Sequence, residues 1–275
     1  MFAEDKINNK GGTFKIKYLC NMQWVQLEVS NRVATVVMSR IDKRNAFNPE
    51  LVAELFEIIQ SLNQRDDVKI ILIKSAAAAF SAGADLSYIQ KLGGFTHEEN
   101  VADSRNLKNL FEAIYQSPKI TITQVEGPAL AGGCGLASIS DFCFATPEST
   151  FGYTEARIGF VPALVMVYLR HKLPMNTCNE WLLTAGVFSA NKAFQDGLIY
   201  RVSENIEVEV NAFIDNLLKG VSLESVSRTK MMLRNLPYNH EEALEFAAQQ
   251  NALARKTEDC VKGIDHFLRK EKLEW

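Results

Sequence analysis

The sequence lacks the residue patterns of metal, redox and nucleic-acid proteins. Its five cysteines form no CxxC pair and its four histidines show no ligand spacing, so we expect neither a metal site nor a disulfide framework. The net charge of −3 gives no basis for binding nucleic acid or a membrane surface. No apolar run approaches the length of a membrane span. We therefore expect a soluble, cytoplasmic protein whose cysteines stay reduced.

The N-terminal segment also lacks the apolar core of a signal peptide. Residues 1–21 are polar and contain glycine, and we expect there a poorly ordered extension or an upstream start. The remaining length fits one large domain with an ample core. We divide it into a core over 22–200 and a helical C-terminal region over 201–275.

Strand and helix patterns alternate in the core. Alternation of apolar residues predicts strands at 25–29, 33–38, 70–74, 120–125 and 142–145. Apolar residues at helical spacing predict helices at 49–62, 100–116, 209–220, 222–235, 240–255 and 258–271. This alternation indicates an α/β fold with parallel βαβ units, and by itself it favours an open doubly wound sheet.

A run of small residues, Ala131-Gly132-Gly133-Cys134-Gly135, separates the strand pattern at 120–125 from a short apolar helix pattern. A helix that opens on glycines leaves several backbone N–H groups unpaired, and these suit a phosphate or an oxygen that becomes anionic. The run is neither a GxGxxG fingerprint nor a P-loop. The alternative is that the glycines only let a helix pack close to a sheet.

Glu155 follows in a largely apolar segment. If the side chain is buried, apolar neighbours such as Phe151 and Phe160 raise the pKa of its carboxyl group toward the range useful for acid/base catalysis. The alternative is a solvated carboxylate paired with Arg157 or Lys172.

A second run of small residues, FSAGADL, spans 80–86 and follows the strand pattern at 70–74. Together with the glycine run, it resembles the crotonase superfamily, which contains the enoyl-CoA hydratases and isomerases. Both hallmark motifs of that superfamily stand here at nearly its spacing. Shorter matches keep the same order along the chain, at 44–47, 188–193, 197–198, 257–259, 263–264 and 267–268.

The resemblance implies a crotonase-like spiral of ββα units, followed by a helical C-terminal region that supports trimer formation. It also implies an acyl-CoA thioester substrate, so coenzyme A is part of the substrate and we expect no separate cofactor. The partners implied are further copies of the chain, as a homotrimer or a homohexamer built as a dimer of trimers.

The resemblance also assigns roles to single residues. Reaction of an unsaturated thioester builds negative charge on its oxygen, and the backbone amides of Ala84 and Gly132 would stabilise that charge while Glu155 moves protons. The residues implied to contact acyl-CoA are Arg44, Ala46, Ala82, Asp85, Leu86, Gly133, Pro162, Phe267 and Lys270. The last two resemble a pair that reaches a CoA bound by a neighbouring subunit.

Two positions depart from the family pattern. Hydratases of the family carry a second glutamate three residues beyond the oxyanion glycine, where this chain has Gly135, and many relatives have a lysine where this chain has Ser87. Whether Glu126 or Asp141 replaces the missing carboxylate is open. The bulky segment at 163–167 stands where many hydratases are rich in glycine, so it should reshape the acyl pocket.

Three functions therefore remain. The first is an enoyl-CoA hydratase, because the stretch around Glu155 looks most like bacterial hydratases of the methylglutaconyl-CoA type. The second is a Δ3,Δ2-enoyl-CoA isomerase, because moving a double bond needs only one proton shuttle. The third is an acyl-CoA-binding member that has lost catalysis.

Overall fold

Strands and helices alternate up to Val202, and beyond it the described elements are all helices. The computed structural model describes residues 3–7, 15–19, 22–220, 223–234, 241–242, 244–245, 248–249, 252, 255–256 and 258–271. The strands are Ala3–Ile7 (β1), Lys15–Leu19 (β2), Val25–Ser30 (β3), Val33–Met38 (β4), Ile70–Ser75 (β5), Ile120–Val125 (β6), Pro128–Leu130 (β7), Phe142–Ala145 (β8), Thr150–Gly152 (β9), Phe188–Ser189 (β10) and Arg201–Val202 (β11). The α-helices are Pro49–Asn63 (α1), Leu86–Leu92 (α2), His97–Tyr115 (α3), Gly132–Ile139 (α4), Ala163–Lys172 (α5), Met175–Leu183 (α6), Ala190–Gln195 (α7), Ile206–Gly220 (α8), Leu223–Arg234 (α9) and Glu258–Arg269 (α10).

The strands form two sheets. The larger sheet has the order β1-β2-β3-β4-β5-β6-β8-β11, antiparallel from β1 to β4 and parallel from β4 to β11. The smaller sheet has the order β10-β9-β7. The single open sheet favoured by the alternation of patterns is therefore wrong. A parallel neighbour of β6 requires a crossover of a dozen or more residues, whereas β7 begins at Pro128, immediately after the turn at Gly127 (φ 78°). The chain leaves the large sheet at this turn.

Helices cover both faces of the parallel part of the large sheet. Ile71 and Ile73 of β5 point into the main core, where the apolar stripe of α1 packs. Ile70 and Leu72 point to the other face, where they meet Ile206 and other apolar residues of α8. Burial on both faces explains why β5 is a continuous apolar run rather than an alternating one. No helix among the described residues is long and apolar enough to cross a membrane.

The element boundaries follow the capping residues. Asn48 caps α1 as its Oδ1 accepts a hydrogen bond of 3.0 Å from the Leu51 amide. Helix α3 begins at His97, so the predicted start at residue 100 is wrong. Thr96 and Glu99 form a capping box there, in which each side chain accepts from the other's backbone N–H.

Several of the sequence predictions fall partly on residues outside the description, among them the helix at 222–235, whose first and last residues are not described. Residues 3–7 and 15–19 are strands that extend the large sheet from β3, and the rest of 1–21 is not described. The expectation that residues 1–21 are poorly ordered stays a prediction. The boundaries of the core region at residues 21 and 200 also stay predictions. The predicted helix at 240–255 is described at only some of its positions.

A buried ionic cluster joins α9 to the large sheet. The Asp141 carboxylate pairs with Lys230 at 2.7 Å and with Arg234 at 2.8 Å, and it also accepts from the Thr121 amide and hydroxyl. The side chains of Asp141, Lys230 and Arg234 are 13%, 10% and 16% exposed. Burial lowers the pKa of the Lys230 ammonium, but the neighbouring carboxylate opposes that effect. Each cation therefore depends on Asp141 for its charge balance.

We expect Asp141→Asn to lower the free energy of unfolding by about 3–5 kcal/mol, because it leaves two buried cations without a counter-charge. The matched control is Glu209→Gln, which removes one carboxylate from the exposed pair with Arg201 and should cost about 0–1 kcal/mol. Urea denaturation of both variants measures the difference. Equal losses in the two variants would contradict the role assigned to the buried cluster.

Candidate active site

The two small-residue runs lie side by side. The amide of Leu130 donates to the carbonyl of Ser81 at 2.9 Å, and the amide of Ser81 donates to the carbonyl of Pro128 at 3.2 Å. A Cβ atom at Gly133 would lie only 2.6 Å from the Cβ of Ser81. The glycine therefore allows an approach of backbone to backbone that any side chain would prevent. The alternative that the glycines serve close packing is correct for Gly133, which is buried behind Ser81.

The amides of Ala84 and Gly132 take no part in the hydrogen bonds that build these loops. Phe47 bonds to the residues on either side of Ala84, donating to the Gly83 carbonyl and accepting from the Asp85 amide. The Ala84 N–H therefore faces the opposite direction. Gly132 is the first residue of α4, so its N–H has no partner within the helix. Among the described residues, neither amide has a hydrogen-bond acceptor.

Ala84 and Gly132 line a cavity of about 550 Å³, and Glu155 lines the same cavity. Glu155 opens the 3₁₀ turn Glu155–Ile158 and is 8% exposed. Desolvation raises the pKa of its carboxyl group to about 7, and a hydrogen bond from its own backbone only partly opposes this effect. Within the described residues, its Oε2 atom has no hydrogen-bond partner. The cavity thus brings together two residues with unused backbone donors and one buried carboxyl group.

The surface pairing considered for Glu155 is wrong. Lys172 donates instead to the carbonyl of Ser138 at 2.7 Å, and Arg157 is exposed. Glu155 is buried, and desolvation is the main cause of its raised pKa, which agrees with the prediction that burial among apolar residues would raise it.

Most of the residues assigned to the site meet at this one cavity. Those that line it are Arg44, Ala46, Ala82, Ala84, Asp85, Leu86, Gly132, Glu155 and Pro162. Gly133 and Lys270 are not among the described lining residues, and Lys270 is exposed at the end of α10. The Phe267 side chain lies outside the description. Leu268 of the same helix does line the cavity, so α10 contributes to the site of its own chain.

Asp85 lies in the cavity wall, but its carboxylate is occupied by structural contacts. It pairs with Arg40 at 2.7 Å and accepts from the Ser87 amide and hydroxyl, so it caps the start of α2. Ser87, which replaces the lysine of many relatives, therefore serves the helix start. Both carboxylate oxygens of Asp85 are therefore already bound, and the predicted contact with a ligand could come only from its other atoms.

Sequence reasoning missed one polar cluster in the cavity wall. The Tyr88 hydroxyl donates to Asp103 at 2.6 Å, and Arg255 pairs with the other oxygen of Asp103 at 2.7 Å. Burial and the Asp103 carboxylate raise the pKa of the Tyr88 hydroxyl above its ordinary value. The cluster joins α2, α3 and the C-terminal region. Its members are far apart in the sequence, so no spacing pattern could have revealed it.

The missing second glutamate has a steric explanation. A Cβ atom at Gly135 would lie 2.3 Å from Cγ1 of Val165 and 3.2 Å from the ring of Phe111. The space that a side chain at 135 would need is therefore occupied by Val165 of α5. This residue belongs to the bulky segment at 163–167. Neither Glu126 nor Asp141 lines the cavity, and Glu126 instead accepts from Gln124.

Glu155 is consequently the one carboxylate among the described lining residues that has no ion pair. The other two, Asp85 and Asp103, are bound to Arg40 and Arg255. The described part of the cavity wall therefore has a single carboxyl group without an ion pair.

Comparison with solved structures identifies the class of fold. An enoyl-CoA hydratase from Shewanella pealeana matches with a TM-score of 0.76 and 28% identity over 93% of this chain and 97% of that chain. This is the α/β fold of the crotonase superfamily. The enoyl-CoA hydratase/isomerase family model matches residues 28–275, and the chain belongs to that family.

Curated relatives agree with this assignment. The Thermus thermophilus protein named "Putative enoyl-CoA hydratase" is 34% identical over 90% of this chain and 98% of its own length. The crotonyl-CoA hydratase of Syntrophomonas wolfei is 29% identical over 90% of this chain and 95% of its own length. The chain is an enzyme of this family, a lyase or an isomerase, and an acyl-CoA substrate is consistent with its membership.

We expect Glu155→Gln to change how stability depends on pH. The folded-state pKa of about 7 exceeds the ordinary value of 4.5, so the stability linked to this group is complete below pH 4.5 and is lost as pH rises through 7. At pH 8 the variant should be more stable than the native protein by up to about 3 kcal/mol. Urea denaturation between pH 5 and 8 tests this, and parallel pH curves for the two proteins would refute it.

We expect Gly135→Ala to destabilise the protein by about 1–3 kcal/mol, because the new methyl group collides with Val165. Adding Val165→Ala should recover part of this loss, although Val165→Ala alone removes buried volume and is destabilising. A double-mutant cycle measured by thermal unfolding reports the coupling. If the two substitutions have additive effects on stability, Val165 does not limit the space for a side chain at position 135.

Proposed function

We propose that this enzyme adds water to a 2-enoyl-CoA thioester. The observation that carries the proposal is the buried Glu155 carboxyl group. Its Oε2 has no hydrogen-bond partner among the described residues, and Glu155 lines the same cavity as Ala84 and Gly132, whose amides also have no described acceptor. In this proposal the thioester oxygen accepts from both amides, and Glu155 is the acid/base. One such donor is worth roughly 3 kcal/mol of transition-state stabilisation in other enzymes.

The proposed reaction needs one proton carrier used twice. The Glu155 carboxylate takes a proton from water as the water oxygen bonds to the β-carbon, and the electrons of the double bond move through the α-carbon to the thioester oxygen. The two amides stabilise the resulting enolate. The enolate then returns its electrons to the α-carbon, which takes the proton from Glu155. A pKa near 7 suits both steps, since the group must accept and then donate a proton at neutral pH.

Coenzyme A would lie at the Arg44 end of this cavity. Lys43 and Arg44 both line it, and their charges suit the phosphate groups of the ligand. Ala46, Ala82 and Leu86 would border the rest of the carrier chain. The assembly as a homotrimer or a dimer of trimers stays a prediction.

The second candidate is a Δ3,Δ2-enoyl-CoA isomerase. The specific observation that favours it is the space at Gly135, which is filled by Val165 and cannot hold a second carboxylate. An isomerase needs only one group that removes a proton from the α-carbon and returns it to the γ-carbon. The hydratase remains our first proposal, and 3-methylglutaconyl-CoA is its first substrate to test.

A panel of acyl-CoA thioesters distinguishes these functions. A hydratase consumes the conjugated absorbance of 2-enoyl-CoA, including 3-methylglutaconyl-CoA, and incorporates water. An isomerase creates conjugated absorbance from 3-enoyl-CoA without incorporating water. Binding without turnover of any member of the panel would leave only a non-catalytic role.

We expect Glu155→Gln to lower kcat at least about a hundredfold, because the variant cannot move the proton. The control is Glu126→Gln, which changes an exposed glutamate outside the cavity and should leave kcat unaltered. In the native enzyme kcat/KM should rise with pH through about 7, because the carboxylate form is the base. Full activity of Glu155→Gln, or no turnover of any 2-enoyl-CoA, would sink the hydratase proposal.

A further inference from the structure

Ala131 has a backbone conformation that is unusual for a residue with a side chain. Its φ and ψ angles are 49° and −124°. These are close to the first central position of a type II′ turn, where glycine dominates because the conformation brings a Cβ atom too close to the backbone. Such a conformation persists only where the surrounding structure holds it.

The conformation of Ala131 determines where the Gly132 amide points. The ψ angle of Ala131 sets the plane of the peptide that carries this N–H. In the ordinary left-handed well ψ is near +47°, so the observed value turns the peptide plane by roughly 170°. The N–H of Gly132 would face nearly the opposite direction if Ala131 relaxed to that well.

Three contacts hold Ala131 in place. Its amide donates to the carbonyl of Gly152 at 2.7 Å, and its carbonyl accepts from the amide of Gly135 at 3.0 Å. Its methyl group lies against Gly83, where an added Cβ would be only 2.7 Å from the Cβ of Ala131. Gly83 has a φ of 89° and directly precedes Ala84. Each donor amide thus follows a residue with positive φ, and these two residues meet.

We propose that Ala131 is a positioning residue whose methyl group, held against Gly83, fixes the direction and spacing of the Ala84 and Gly132 amides. The inference rests on the proposed function, in which both amides bind the thioester oxygen. Without the methyl group the contact with Gly83 is lost, and only the two backbone hydrogen bonds hold the Ala131 peptide. Small displacements of a donor weaken transition-state stabilisation strongly.

The test compares Ala131→Gly with Ala185→Gly. Ala185 also has a φ of 49° but is not among the described lining residues, so its variant likewise removes a Cβ atom from a residue with positive φ. We expect Ala131→Gly to lower kcat about tenfold, which is less than the 10²- to 10³-fold loss of a whole donor. Its KM should stay unchanged, because most ground-state binding comes from the rest of the CoA. Native kcat in Ala131→Gly, or an equal loss in Ala185→Gly, would overturn the inference.

A second measurement separates this inference from the proposed function. The Gly135 amide donates to the carbonyl of Ala131, so its hydrogen exchange reports whether the 131–135 turn is held. We expect exchange to be several-fold faster in Ala131→Gly and native in Ala185→Gly. Absence of enoyl-CoA turnover by the native protein would reject the proposed function alone. Unchanged exchange in Ala131→Gly would reject the positioning role, whatever the native protein turns over.

Discussion

The site depends on the close approach of two backbone segments that leave no room for side chains between them. Ser81 lies against Gly133, and Gly83 lies against Ala131, at distances where an additional Cβ atom would collide. The hydrogen bonds from Leu130 and Ser81 join the same two segments. Because each segment carries one free amide, the contact that closes the loops also sets the distance between the donors. The packing of the loops and the placement of the two amides are therefore one constraint, and small residues satisfy it.

The raised pKa of Glu155 follows from a different physical effect. Glu155 lies in the turn that follows β9, and desolvation raises the pKa of its carboxyl group. Val165 of α5 fills the space beside Gly135, where a side chain would collide with it. A buried, unpaired carboxyl group is costly in a folded protein, and this cost is characteristic of functional sites. The site combines this costly group with donors that the fold leaves unused.

The sequence is sufficient to predict the parts of the site that depend on local requirements. The small residues around Ala84 and Gly132 and the apolar residues near Glu155 are visible as patterns, because each set stands in one short stretch of the sequence. Resemblance to a family was needed to connect them. The second sheet was missed, since nothing in the strand patterns shows that the turn at Gly127 is too short for a crossover. The cluster of Asp103 and Arg255 was missed because it depends on tertiary contacts.

The small-residue run by itself does not fix the direction of the Gly132 amide, and the backbone conformation of Ala131 shows what else is needed. Glycine at this position would adopt the observed angles without cost, yet it would also adopt many others. Alanine has fewer conformations, and the contact of its methyl group with Gly83 adds to the hydrogen bonds that hold the peptide carrying the Gly132 amide. A site built for a developing oxyanion gains from donors that need no reorganisation during the reaction. The backbone cost at Ala131 is thus consistent with a fold in which the orientation of the donors is set before any substrate binds.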